Sequence, residues 1–292
     1  MKIVNYKKFW SKLGLLAGLV LFLLTFIGIF VPTNRNSSKE IVFVIEKGEG
    51  SRDIAYNLQR QEITRSGLFL RLYVLTTRVS NKLQAGDYLL SPSMSMFDMV
   101  RKFTTGEVIQ EKLTIVEGWN IQDIKDYFAT KGRAIEISPD LEGYLFPDTY
   151  HIGNNASTEE IIAMMRENFE KKFNNDLKQE TARQGKTIAQ IVTMASLLEK
   201  EVKTPEDKKM VAGILWKRLS IGMALQVDAA PITYAVPGLP LNPIANPGLE
   251  SIQAALYPTE SPYWYYLSTP EGITIFSRTL GEHNIAKARY LH

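Results

Sequence analysis

The chain opens with one continuous apolar run and then settles into shorter segments of alternating or helical period. Residues 13–31 (LGLLAGLVLFLLTFIGIFV) carry no charge. At about 1.5 Å per residue they reach about 28 Å, close to the hydrocarbon thickness of a bilayer. A cleaved signal peptide has a shorter apolar core and a small-residue cleavage site. This run ends instead in Phe-Val-Pro-Thr-Asn-Arg, which predicts a retained transmembrane helix. A polar linker follows at 37–40. Residues 41–45 (IVFVI) are β-branched and read as a strand. After a Gly-Glu-Gly turn, Ser51 is the expected cap of a helix to Leu58, with Ile54, Ala55 and Leu58 on one face. A second helix is expected over 67–75, and Gly86 turns into a strand. Ser95-x-x-Asp98 resembles a capping box before Met99, Val100 and Phe103. These elements make a small α+β module ending near Gly106.

A second series begins with a strand at 109–116 and an amphipathic helix around 121–128. Residues 141–150 (LEGYLFPDTY) form an ordered, aromatic loop, and Ser157-x-x-Glu160 caps a helix to Phe169. Thr187-x-x-Gln190 is a capping box for the helix IAQIVTMASLLEKEV, and Thr204-Pro205 starts another, stopping at Gly222. A helix at 249–256 and a hairpin over 263–267 and 273–276 complete the pattern. The predicted class is α+β behind a transmembrane helix: tail 1–12, span 13–31, linker 32–40, small subdomain 41–108 and a larger domain 109–292.

Charge orients the span. Lys2, Lys7, Lys8 and Lys12 precede it, while Arg35 and Lys39 follow, so the positive-inside rule puts the N-terminus in the cytoplasm. Trp10 sits where an interfacial aromatic is expected. Gly14-x-x-x-Gly18 fits a helix-dimerisation face and equally the ordinary use of glycine in membrane helices. The chain has no cysteine, which removes disulfides, thiolate nucleophiles and cysteine metal sites. His151, His283 and His292 are not spaced as metal ligands, so neither metal nor cofactor is expected. A net charge of +3, partly in the tail, predicts no nucleic-acid surface.

Candidate chemistry concentrates at the end of the helix 188–202. Ile188, Ile191, Val192, Ala195, Leu198 and Val202 form an apolar stripe. Glu199 falls inside it and Glu201 at its edge. Carboxylates are mildly unfavourable in a helix's last turn. On an apolar face such a group is paired, protonated or functional. Burial raises a carboxyl pKa, as a general acid near neutrality requires. A solvated Glu-Lys-Glu end, or Glu199 paired to a nearby cation, stands as the alternative.

Five segments in this order resemble the MltG (YceG-like) endolytic murein transglycosylase family. They are LEGYLFPDTY (141–150), ASLLEKE (195–201), LQVD (225–228), PGLPLNPIANPG (237–248) and the stretch 276–284 ending in Gly-Glu-His-Asn. The resemblance covers about residues 41–284, plus the anchor. It implies a LysM-like subdomain followed by a YceG-like catalytic domain. It also implies cleavage between N-acetylmuramic acid and N-acetylglucosamine to leave a 1,6-anhydro end, which would end the growth of nascent strands. By this resemblance Glu201 is the catalytic acid/base and Glu199 a supporting residue. Glu142, Tyr144, Phe146, Asp148, Thr149, Gln226, Asp228, Tyr234, Asn246, His283 and Asn284 are the candidates for binding or supporting roles. Tyr144 and Phe146 read equally as core aromatics, Gln226 and Asp228 as loop-stabilising residues, and Glu282-His283-Asn284 as a cap on the last helix. Glu142 and Asp148 are the expected candidates for a second carboxylate, should the enzyme be a hydrolase. The implied setting is the bacterial cell (inner) membrane, with the catalytic domain outside. Glycan strands are the implied substrate, and peptidoglycan synthases and divisome or elongasome proteins are candidate partners.

Two departures stand out. The family's segment ending in Tyr-Asn-Thr-Tyr is missing where this chain runs from Tyr234-Ala-Val directly to Pro237-Gly, and the family's strand histidine is replaced by Thr274. A catalytically eroded, glycan-binding scaffold is therefore the alternative function. The short linker and the small module between Val31 and Ile109 are expected to set how far from the bilayer a strand is reached, which lengthening the linker at 37–40 would test.

Overall fold

The computed structural model describes residues 6–291. Lys2 and His292 lie outside the described residues. The chain divides into two compact units. One runs up to Glu111 and includes His151–Ala156; the other comprises Lys112–Tyr150 and the chain from Ser157 onward.

The first unit begins with α1 (Tyr6–Phe30). Among the described residues only the stretch Trp10–Phe30 is long and apolar enough to cross a membrane, a property shared by single-pass anchors and signal sequences. Strands β1 (Ile41–Ile45) and β2 (Gly86–Leu90) pair antiparallel, with Phe43 opposite Tyr88. Between them lie α2 (Ser51–Arg60) and α3 (Gly67–Thr77), and α4 (Met96–Thr105) follows. The core is Phe43, Ile54, Leu58, Leu70, Val74, Tyr88, Met99 and Phe103, the inward positions of a period-2 strand and 3.6-period helices. Ser95 caps α4 as expected. Ser51 is not the cap of α2: Gly50 takes that place in an extended conformation, and its carbonyl accepts from Asp53 and Ile54. Gly67 lets α3 cross α2 closely, since a Cβ there would stand 2.4 Å from the Ala55 carbonyl oxygen.

The second unit contains α5 (Ile121–Thr130), α6 (Thr158–Lys172), α7 (Asn175–Arg183), α8 (Ile188–Glu201), α9 (Pro205–Ser220), α10 (Ile232–Ala235), α11 (Leu249–Leu256) and α12 (Leu280–Tyr290). The strand expected at 109–116 narrows to β3 (Gln110–Thr114), and β4 (Thr149–Gly153) ends the aromatic loop. The Ile115 N–H donates to the Asp148 carbonyl oxygen at 3.0 Å. The hairpin is β5 (Tyr265–Ser268) with β6 (Thr274–Ser277), Tyr266 facing Phe276 in register.

Helix α8 is the axis of this unit. Every residue from Ile191 to Leu198 is buried, with α7, α9 and α11 packed against it. The single-stripe expectation is too narrow, because neighbours surround the helix. Buried Ser196 is accommodated by hydrogen bonding: its hydroxyl donates to the Thr193 carbonyl and accepts the Ile244 N–H. Helices α7 and α10 have no counterpart in the sequence pattern. α7 turns only Leu177 and Thr181 inward, and α10 spans four residues, so neither carries a readable apolar period.

Candidate active site

Residues two apart on an α-helix project about 200° apart. The end of α8 therefore sends Glu199 and Glu201 in opposite directions.

Glu199 goes inward. One carboxylate oxygen pairs with Lys208 Nζ at 3.0 Å; the two side chains are 8% and 4% exposed. The other oxygen accepts the Gly248 N–H at 2.9 Å and the Ser251 hydroxyl at 2.7 Å. A buried ion pair with its remaining lone pairs satisfied is a structural rivet joining α8, α9 and α11. The alternative of a paired Glu199, left open by the sequence, is the arrangement found.

Glu201 goes to a cleft of about 580 Å³. Its Oε1 accepts the Ala229 N–H at 3.1 Å and its Oε2 the Tyr266 hydroxyl at 3.4 Å. Ser268 Oγ donates to its main-chain carbonyl at 3.2 Å, pinning the last turn of α8 to β5. Burial pushes the Glu201 carboxyl above its ordinary value, and the nearby Asp228 charge pushes the same way. The Ala229 N–H and Tyr266 hydroxyl oppose the rise without cancelling it.

The rest of the cleft comes from distant chain. After the Gly222 turn, Gln226 adopts a left-handed φ of 53° and donates its N–H to the Thr233 carbonyl. That turn presents Asp228, which accepts the Tyr234 hydroxyl. The bond to Asp228, with burial, pushes the Tyr234 phenol up to about 12. Tyr266 is raised well above its ordinary value, mainly by burial and then by the Glu201 charge. From α12 come His283, Asn284 and Lys287. His283 is 9% exposed, stacks on Tyr265 at 5.3 Å and is held below its ordinary pKa by burial, Lys287 and Arg218.

Arg218 closes the floor. Its Nε and Nη2 donate to the Trp264 carbonyl at 2.9 and 2.7 Å, and its Nη1 to the Leu225 carbonyl at 2.6 Å. It is 3% exposed and lies 5.3 Å from the Tyr265 ring centroid. Arg218, Lys208 and Tyr266 are absent from the sequence-based candidates. A signal existed for the two cations: Lys208, Val211, Leu215 and Arg218 share the inward face of α9, and a charge at a helix's apolar spacing asks for a partner. Tyr266 had no such signal, because its role depends on a strand folding back onto α8.

The structure thus gathers Glu201, Gln226, Asp228, Tyr234, His283 and Asn284 around one cleft. It puts the other candidates in supporting positions. Glu142 accepts the Ile121 N–H at the start of α5 and the Asn246 amide. Asn246 is fully buried; its oxygen accepts the Leu145 N–H, and its amide also donates to the Trp119 carbonyl. Tyr144 packs edge-on against Phe169 at 5.2 Å, beside a separate 180 Å³ hollow. Phe146 is buried under Lys172 Nζ at 5.3 Å. Asp148 accepts from Asn168 and from the Thr149 N–H, and its carboxyl is held below its ordinary value, the Asn168 bond first among the causes. Thr149 shares a hydroxyl contact with Thr114. Thr274 donates to Asp207 at 2.9 Å. The described residues contain no cluster of three or more His, Asp or Glu side chains placed to hold a metal.

A half-buried carboxyl with a raised pKa, in an open cleft lined by phenols, amides and cations, can exchange a proton with a polar ligand. The chain belongs to the YceG-like family, whose model matches residues 43–232 and 232–289. The two matched pieces meet at Ile232, just before Tyr234-Ala-Val. The chain is 27% identical to the endolytic murein transglycosylase of Bacillus subtilis over 317 aligned positions, covering 89% of this chain and 87% of the relative. It is 24% identical to the endolytic murein transglycosylase of Streptococcus pneumoniae R6, covering 90% of this chain and 60% of that protein. A crystal structure of a yceG-like protein from Listeria monocytogenes superposes with a TM-score of 0.54 at 29% identity, covering 86% of this chain and all of that one.

Proposed function

We propose that this chain is a membrane-anchored lytic transglycosylase that cuts nascent peptidoglycan strands internally, with Glu201 as the single acid and base. The carrying observation is the Glu201 carboxyl itself: set in the cleft, raised in pKa, and held by Ala229 and Tyr266. The family match and the relatives' printed activity support the same reading. In the proposed step Glu201 gives its proton to the glycosidic oxygen as the bond from the muramic C1 breaks. The muramic C6 hydroxyl then attacks C1 and returns its proton to Glu201. The bond lost is replaced by an internal C1–O6 bond, and no water is consumed. The attacking hydroxyl is tethered to the reacting ring, so its effective concentration is high.

The order β1–α2–α3–β2, with antiparallel strands, supports reading residues 41–108 as a LysM-like subdomain and 109–292 as the catalytic domain. The apolar span 13–31 and the lysines that precede it support a single-pass anchor with a cytoplasmic N-terminus. Peptidoglycan synthases and divisome or elongasome proteins are the partners this placement proposes.

A hydrolase of the same bond is a second reading. One observation favours it: Asp228 lines the cleft with Glu201, whereas a hydrolase places water with a second carboxylate. Digestion of unbranched glycan strands by the full chain, with ends read by mass spectrometry, separates the readings. Anhydro ends, abolished in Glu201→Gln, are expected. Reducing ends establish the hydrolase, and binding without cleavage establishes a scaffold.

A further inference from the structure

Helix α3 breaks the rule its neighbours obey. Its inward residues Leu70 and Val74 are fully buried, yet the opposite arc is also apolar: Leu68, Leu72 and Leu75 are 56%, 37% and 61% exposed. At about 100° per residue these three fall within one arc of about 60°. A helix apolar all round is normally surrounded by protein or lipid. No protein covers this arc among the described residues.

The position of α3 says what covers it. The helix packs against the end of α1, with the Phe69 ring filling the notch at Gly28, where a Cβ would stand 2.5 Å from ring carbons. Ile29 of α1 is buried by the same packing. Phe30 stacks on Phe97 of α4 at 5.7 Å, and Tyr73 of α3 meets that ring edge-on at 6.2 Å. The attachment extends past the helix: Arg65 donates to the Thr33 carbonyl at 2.6 Å, and the Asn34 N–H to the Pro92 carbonyl at 2.9 Å. Gly28, Ile29 and Phe30 belong to the apolar span itself. Whatever packs beside them sits at the depth where hydrocarbon gives way to headgroups.

We propose that α3 is a membrane-surface helix: its Leu68–Leu72–Leu75 arc lies in the bilayer that α1 crosses, and the first unit thereby rests on the membrane. Arg71 borders the arc and is exposed, placed to meet lipid phosphate. The proposal rests on α1 being a retained span.

The chain has no cysteine, so one introduced thiol reports one position. Leu72→Cys, Leu75→Cys, Leu19→Cys and Glu159→Cys are labelled with an environment-sensitive dye. Each full-length protein is placed in phosphatidylethanolamine–phosphatidylglycerol vesicles with or without doxyl-labelled phosphatidylcholine. Dyes at 72 and 75 are expected to emit blue-shifted, to be quenched by the doxyl lipid, and to be several-fold less sensitive to aqueous iodide than the dye at 159. If 19 is quenched by lipid while 72 and 75 respond to iodide like 159, the membrane-surface helix is overturned and the anchor stands. If 19 also escapes the lipid quencher, the anchor fails and this proposal with it.

Discussion

At the scale of single residues, two glutamates separated by one lysine have opposite fates. Glu201→Gln is expected to abolish cleavage while leaving the fold intact, because the amide oxygen can still accept the Ala229 N–H. The stability sign follows from the raised carboxyl. The folded state holds this proton more tightly than the unfolded state, so the group's contribution to stability is largest below its ordinary value and falls as pH rises through the raised one. Thermal melts of Glu201→Gln are therefore expected to match or exceed the parent at neutral pH, with the gap closing in acid. The parent's kcat/KM is expected to fall on the alkaline side as Glu201 loses its proton. Glu199→Gln should behave in the opposite way. It keeps acceptors for Gly248 or Ser251 but strands the Lys208 charge in the core, which costs about 3–5 kcal/mol in comparable buried pairs. Urea denaturation checks this, and loss of activity without loss of stability would make Glu199 part of the chemistry instead.

At the scale of elements, the helices with an apolar period and a side-chain cap were legible in the sequence. Ser157 and Thr187 form the expected capping boxes; α11, which has no side-chain cap, also begins and ends where its apolar period predicts. What escaped depends on partners distant in the chain. The aromatics of the EGYLFPDTY loop read equally as sugar-binding or core, and the sequence did not show that its Glu142 and Leu145 are tied to Asn246, a residue about a hundred positions away. Asn246→Ala is expected to cost about 1–3 kcal/mol for each buried group left unpaired, seen as a lowered denaturation midpoint with catalytic pKa values unmoved. Gly213 makes a sharper test, because two effects oppose each other. Alanine is the better helix former by about 1 kcal/mol, but a Cβ at 213 would stand 2.1 Å from the Thr259 carbonyl oxygen. That atom is backbone and cannot swing away, so Gly213→Ala is expected to be net destabilising by about 1–3 kcal/mol.

At the scale of the whole molecule, the linker changes meaning. The sequence presents the short linker, together with the small module after it, as what sets the reach from the bilayer. In the structure Thr33 and Asn34 are already bonded to the unit that the linker leads into. A Gly-Ser insertion at Ser38 lengthens only the stretch between that fastening and β1, so product strand lengths are expected to stay the same. A shift in those lengths would restore the linker as a ruler. The long apolar helix was readable from one uninterrupted apolar run. The fastening was not, because it depends on Arg65 and Pro92 meeting backbone groups far away in sequence.

Arg218 has a consequence of its own. Its guanidinium donates its hydrogen bonds to backbone carbonyls, from the turn that leads to Asp228 and from the segment that leads into β5. Burial pushes its pKa below the ordinary guanidinium value, yet guanidinium keeps its charge throughout the working range of a protein. The clasp therefore holds equally well whether Glu201 carries its proton or has given it away. Shape and proton count are assigned to different side chains, so in the proposed cycle the cleft changes its charge without changing the frame in which the next proton is received.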